Sequence, residues 1–157
     1  MIDSLTYIDQ PYINLEQGSD AWKLARLGHV TASNIAEVMS KGKGTAEAVG
    51  RYKYKVKLVA ERLTGAAGES YANAAMQWGT ETEPLARAAY EAETGEIVDE
   101  VAMIEHPSIA MTGASPDGLI GADGLIEIKC PNSATHMETL LNKKPAAKYI
   151  TQMMWQM

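Results

Sequence analysis

The chain has 157 residues, 46% hydrophobic and 22% charged, with a formal net charge of −6, the balance of an ordinary water-soluble domain. No apolar run approaches the roughly 20 residues of a membrane-spanning helix, and Cys130 is the only cysteine, which excludes an internal disulfide and a cysteine-built zinc site. The opening "MIDSLTYIDQ" lacks the basic start and apolar middle of a secretory leader, so one domain over residues 1–157, in a reducing cytoplasm and away from membranes, is expected. Between residues 21 and 62 nine basic side chains face three acidic ones, whereas between 69 and 105 there are nine acids and only Arg87. That polarity permits a polyanionic partner without requiring one.

In chain order, Ser19 can cap a helix over "DAWKLARL" that stops at Gly28. A second helix, "TASNIAEVMS", starts after Thr31 or Ser33. "KGKG" (41–44) reads as a turn, after which Thr45 opens a longer, basic helix ending near Gly65. Thr80 and Glu83 have capping-box spacing and Pro84 suits a first turn, so a helix over "LARAAYEAETG" is expected to begin there. From Ile97 to Cys130 the pattern changes to short β-rich runs forming a central meander. Two helices follow, "ATHMETLLN" and "AAKYITQMMWQM". Trp78 and Trp155, among methionines at helical spacing, are expected in the core. His29, His106 and His136 share no ligand spacing and read as structural or surface residues. The last helix reaches Met157 with no stop signal, so a C-terminal extension is expected.

The chemistry concentrates in "GASPDGLIGADGLIEIKC", residues 113–130. With a hairpin loop of Ala122-Asp123-Gly124 and Gly124 left-handed, Leu119 faces Glu127 and Asp117 faces Lys129. Side chains alternate along strands, so Asp117, Glu127 and Lys129 fall on one face, with Ser115 pointing nearby. Two adjacent carboxylates repel unless a cation lies between them. A hard divalent ion such as Mg²⁺ suits two carboxylates and the backbone carbonyl of Ile128, leaving positions for water and phosphate oxygens. Lys129 is then the non-ligand partner that acts on the attacking water or on charge at phosphorus.

Pro-Asp followed by Glu-Ile-Lys resembles the signature of the restriction-endonuclease-like nuclease superfamily. "ARLGHVTASNIAEVM", "MQWGTETEPLARAAYE" and "KYITQMMWQM" resemble motifs of the phage lambda exonuclease (viral recombinase) family within it, over roughly residues 20–157. The resemblance implies an α/β fold with a restriction-endonuclease-like core, a central mixed β-sheet flanked by helices. It implies a Mg²⁺-dependent enzyme (Mn²⁺ substituting) that degrades linear double-stranded DNA from the 5′ end during recombination. Homotrimeric rings and a single-strand annealing protein as partner are implied as well, in a bacterial cell and from a phage or prophage gene. By position, Asp117, Glu127 and the Ile128 carbonyl resemble the metal ligands and Lys129 the catalytic lysine. Glu83 resembles a helix carboxylate at the metal's edge, and Gln152 a site glutamine with Tyr149 one turn before it. Arg26 and Ser33 resemble residues that hold the 5′-phosphate, and Ser115 a serine near the scissile strand.

Read from the residues alone, Arg26 can equally stack on Trp22 four positions earlier, and Glu83 can equally be a capping residue. The rival functions are a site- or structure-specific endonuclease of the same superfamily and a noncatalytic DNA-binding recombination protein. "KGKG" and the basic helix after it are the expected track for a DNA backbone.

Overall fold

The computed structural model describes residues 12, 14–68 and 73–157, so "MIDSLTYIDQ" lies outside them. The chain divides into two compact units, one of Met1–Glu69, Val101–Ser115 and Lys148–Met157, the other of Ser70–Glu100 and Pro116–Ala147. Among the described residues no helix is long and apolar enough to cross a membrane.

In the first unit, helix α1 (Asp20–Ala25) starts where expected, with the Ser19 hydroxyl accepting the Trp22 N–H at 3.2 Å. Strand β1 (Val30–Thr31) follows, then a 3₁₀ turn over Ala32–Asn34 and helix α2 (Ile35–Met39). Helix α3 (Val49–Thr64) begins four residues later than Thr45. The segment before it closes a turn, Ala46 N–H donating to Lys43 O at 3.2 Å. Gly50 in its first turn lies against the exposed Glu37 carboxylate of α2, which would have to swing aside for a Cβ there. Gly65 ends α3 in the left-handed conformation, as the glycine signal implied. Strands β3 (Ile104–Glu105) and β4 (Thr112–Ala114) and helix α6 (Ala147–Gln156) complete this unit.

Its sheet runs β1-β4-β3, β1 parallel to β4 and β3 antiparallel. The sequence did not announce β1, since a two-residue strand whose partner lies some eighty positions away leaves no periodic signal. Ala32, Ile35, Tyr54, Ala102 and Met103 are buried at the centre of this unit. Trp155 is half-buried with its ring 5.5 Å from that of His106.

The second unit is built on helix α4 (Ala74–Thr94) and an antiparallel sheet of β2 (Val98–Asp99), β5 (Gly118–Ile120) and β6 (Gly124–Ile126), ordered β2-β5-β6, followed by helix α5 (Ser133–Asn142). The strands therefore form two three-stranded sheets, one mixed and one antiparallel, rather than one continuous meander. Helix α4 overturns the expected start at Thr80. Asn73 is the N-cap, accepting the Met76 N–H at 2.9 Å, and Pro84 lies in the interior. The Thr80 hydroxyl donates back to Met76 O at 3.2 Å, and Glu83 pairs forward with Arg87. The capping-box spacing was thus two ordinary helical contacts, and the strong helix formers around Pro84 carry the helix through it. Trp78, expected in the core, is 53% exposed.

The hairpin loop is Gly121-Ala122-Asp123. Gly121 takes the left-handed φ of +58° and Gly124 belongs to β6, pairing with Ile120. Gly118 pairs with Ile126 and Leu119 with Leu125, a register two residues from the expected one. A slip of two leaves every side chain on its face; a slip of one would have reversed them all.

Gly118 packs so closely under β2 that a Cβ would overlap a Val98 methyl. Gly118→Ala should cost about 1–3 kcal/mol, read as a lower midpoint in urea denaturation at an unchanged slope.

Candidate active site

The hairpin binds its own acid. The Asp117 N–H donates to Ile126 O at 3.1 Å, and its Oδ2 accepts the Ile128 N–H at 2.5 Å. These two bonds flank Glu127 on the opposite strand and fix Asp117 beside it. The Asp117 and Glu127 side chains are 11% and 3% exposed, Lys129 35%. The Lys129 ammonium donates to Glu127 Oε1 and to Ile128 O at 3.2 Å, and lies 3.8 Å from Asp117 Oδ2. Three oxygens from three residues thus converge on one cationic nitrogen.

Burial, and then the Glu127 charge, push the Asp117 carboxyl up to about 6; the Ile128 N–H and Lys129 oppose this, and Glu83 adds to it. Glu83 is therefore near enough for its charge to be felt. Its carboxylate accepts from Arg87 Nη2 at 2.9 Å, while Arg87 Nη1 reaches Glu100 at 2.5 Å. Sequence reasoning passed over Arg87, although its position four residues after Glu83 on a helix was the available signal. Burial, with the charges of Glu83 and Asp117, pushes the Cys130 thiol up as well, which keeps it protonated at neutral pH and unsuited to nucleophilic attack.

The donors are oxygens of two carboxylates and one carbonyl, already gathered about a single positive charge. That set fits a magnesium ion, which takes one or two carboxylates and fills its other positions with water and phosphate. Among the described residues no group of three His, Cys, Asp or Glu could enclose a metal by itself.

The other anticipated residues belong to the first unit. Arg26 donates from Nη1 to Ser115 Oγ at 2.6 Å, and its guanidinium carbon lies 4.3 Å from the Trp22 ring centroid. Arg26 thus stacks on Trp22, as its position four residues later allows, and bonds Ser115 as well. Trp22 Nε1 donates to Ala102 O at 2.9 Å and to Ser115 Oγ at 3.2 Å, so the Ser115 hydroxyl is engaged by Trp22 and Arg26. Burial lowers the Arg26 guanidinium from its ordinary value, against the influence of Tyr54, and arginine stays charged regardless. Ser33 is exposed, its Oγ 3.2 Å from Thr31 Oγ1 and accepting from Asn34 Nδ2 at 3.2 Å. Arg26, Trp22, Thr31 and Asn34 line one cavity of about 150 Å³, with Lys23 and Lys57. Tyr149 and Gln152 lie three residues apart on α6, both half-buried, with Lys148 Nζ 4.8 Å over the Tyr149 ring. His29 Nε2 lies 3.5 Å from Glu105, and His136 is exposed.

Residues 21–157 match the model of the YqaJ-like viral recombinase domain. The crystal structure of an alkaline exonuclease (LHK-Exo) from Laribacter hongkongensis superposes with a TM-score of 0.77 at 55% identity, covering 85% of this chain and 64% of that one. LHK-Exo in complex with dAMP superposes with a TM-score of 0.81 at 55% identity, covering 88% and 67%. The chain thus spans about two thirds of the length of these relatives. No curated protein sequence matches.

The raised Asp117 carboxyl has a stability consequence. A carboxyl whose folded value stands at about 6 against an ordinary 3.8 favours folding while protonated; that contribution is whole below about 3.8 and is lost as pH rises through about 6. Asp117→Asn should therefore match the wild-type Tm at pH 4 in EDTA and exceed it above pH 6, by about 2–4 °C. Thermal melts across that range check the sign.

Proposed function

The chain belongs to the YqaJ-like viral recombinase family, and from that footing we propose that it is the nuclease domain, residues 1–157, of a Mg²⁺-dependent exodeoxyribonuclease. Its substrate is the 5′ end of linear double-stranded DNA, and its role is end resection for homologous recombination. The observation that carries this reading is the convergence of Asp117, Glu127 and the Ile128 carbonyl on the Lys129 ammonium. The dAMP complex of LHK-Exo supports it, since a deoxynucleoside monophosphate is the product class of stepwise strand hydrolysis.

Asp117 Oδ2, Glu127 and Ile128 O would hold the metal, with Glu83 at its edge. When bound, the ion supplies an activated water and neutralises phosphate charge. The remaining steps belong to the chain's own groups. Lys129, anchored on Glu127 and the Ile128 carbonyl, presents its Nζ to the water and the phosphate under attack, donating to charge that develops at phosphorus. Arg87 holds Glu83 in one rotamer by a charge-assisted bond. Arg26 and Ser33 bind the terminal 5′-phosphate, a pairing of guanidinium and hydroxyl suited to a dianion, and Ser115 holds the Arg26 guanidinium in place while contacting the strand. Gln152, with Tyr149 one turn before it on α6, is assigned as the site glutamine on the family pattern alone. The basic residues of "KGKG" and α3 track the DNA backbone. A homotrimeric ring, a single-strand annealing partner, a phage or prophage gene and a cytoplasmic location complete the reading, following the family.

Lys129→Ala should lower cleavage of linear duplex by at least about 100-fold, with DNA binding by fluorescence anisotropy retained. Wild-type turnover in that variant would refute the mechanism. Duplex labelled at each end, incubated with Mg²⁺ or with EDTA, should release the 5′ label first and only with Mg²⁺. Supercoiled circles should resist degradation while their linearised form disappears; cleavage of the closed circle would point to an endonuclease.

A further inference from the structure

The segment Gly28–Thr31 joins Arg26 to Ser33, and helix α3 holds it by its backbone. Glu61 Oε2 accepts the Gly28 N–H at 2.9 Å, and Arg62 Nε donates to the Gly28 carbonyl at 2.8 Å. The Tyr54 hydroxyl accepts the Thr31 N–H at 3.1 Å and donates to the His29 carbonyl at 3.3 Å. Tyr54, Glu61 and Arg62 recur at i, i+7 and i+8, one stripe of the helix. Tyr54 is 8% exposed and Glu61 7%.

Glu61 itself lines the cavity that Lys23, Arg26 and Lys57 also line, and a buried carboxylate is costly in a place meant for an anion. Its two oxygens are both engaged, however: Oε2 with the Gly28 N–H, Oε1 with Lys57 Nζ at 3.6 Å. Gly28 itself has φ +69°, and a Cβ there would lie 2.6 Å from Arg62 Cγ. The turn is thus a left-handed residue locked from one side by α3, with the two candidate phosphate ligands on its flanks.

We propose that Tyr54 and Glu61 are positioning residues for recognition of the 5′-terminal phosphate. By fixing the Gly28–Thr31 backbone they set the separation and direction of Arg26 and Ser33, without touching the phosphate themselves. The proposal rests on the reading of Arg26 and Ser33 as the terminal-phosphate ligands. Tyr54 is a sharp probe, since Phe keeps its ring and volume while removing both hydrogen bonds. Glu61 is a second probe, since Gln can still accept the Gly28 N–H whereas Ala cannot.

The test measures kcat and KM in the full-length protein on the same linear duplex bearing either a 5′-phosphate or a 5′-hydroxyl, with thermal melts confirming folding. Arg26→Gln should abolish the preference for 5′-phosphate. Tyr54→Phe and Glu61→Ala should each reduce that preference about tenfold, the size of one misaligned hydrogen bond from Arg26 or Ser33 to the charged phosphate, with the loss in KM rather than kcat. Glu61→Gln should recover most of it. A merely structural role would lower the Tm without changing the ratio between the two substrates. The proposal is overturned if Tyr54→Phe and Glu61→Ala keep the wild-type preference while Arg26→Gln loses it. If Arg26→Gln keeps it too, the phosphate-site reading itself is wrong and the proposal falls with it. Should Glu61→Ala fail to fold, Tyr54→Phe and Glu61→Gln decide by the same ratio.

Discussion

The candidate nuclease chemistry depends on the two hydrogen bonds by which Asp117 straddles Glu127. One is backbone to backbone and resembles an ordinary ladder bond; the other uses the side-chain carboxylate as acceptor for the next amide of the opposite strand. Together they immobilise a carboxylate where a like charge already sits. Burial first and the Glu127 charge second raise the Asp117 carboxyl, and the Ile128 N–H and Lys129 offset this only in part. Electrostatic strain of this sort is what makes a site attractive to a hard cation and what a purely structural hairpin would avoid.

A parallel logic runs through the first unit, where α3 turns two buried polar groups, Tyr54 and Glu61, and the exposed Arg62 onto the backbone of a short segment. Three side chains of one helical stripe satisfy amides and carbonyls of Gly28, His29 and Thr31. Buried polar groups are tolerable when each is hydrogen-bonded, and a network of this kind rigidifies what it holds. The cavity beside it collects the cations Lys23, Arg26 and Lys57. Glu61 lines that cavity too, and its charge is offset by the Gly28 amide and by Lys57, leaving Lys23 and Arg26 to face an anion.

Both centres fall within residues 21–157, the span that matches the family model. The net charge of −6 is no obstacle, since charge distribution rather than its total governs contact with a phosphate backbone. Nine of the chain's fourteen basic residues lie between residues 21 and 62, and its acids are concentrated where α4 and the strands that follow it are formed.

By itself the sequence determined whatever depends on neighbours along the chain. The Ser19 cap, the Gly65 stop and the grouping of Asp117, Glu127 and Lys129 on one face all follow from local geometry. The last survived a register error of two residues because the side-chain period of a strand is two. The tertiary structure alone decided what depends on distant partners. The parallel pairing of β1 with β4, the passage of α4 through Pro84, the Arg26–Ser115 bond and the α3 hold on Gly28–Thr31 join residues far apart, or set a weak local signal against a longer helix. A capping-box spacing contributes about 1 kcal/mol, less than the added turns of a continuous helix. Sequence position therefore predicts the faces that side chains share, and only the folded chain selects which backbone groups those faces will bind.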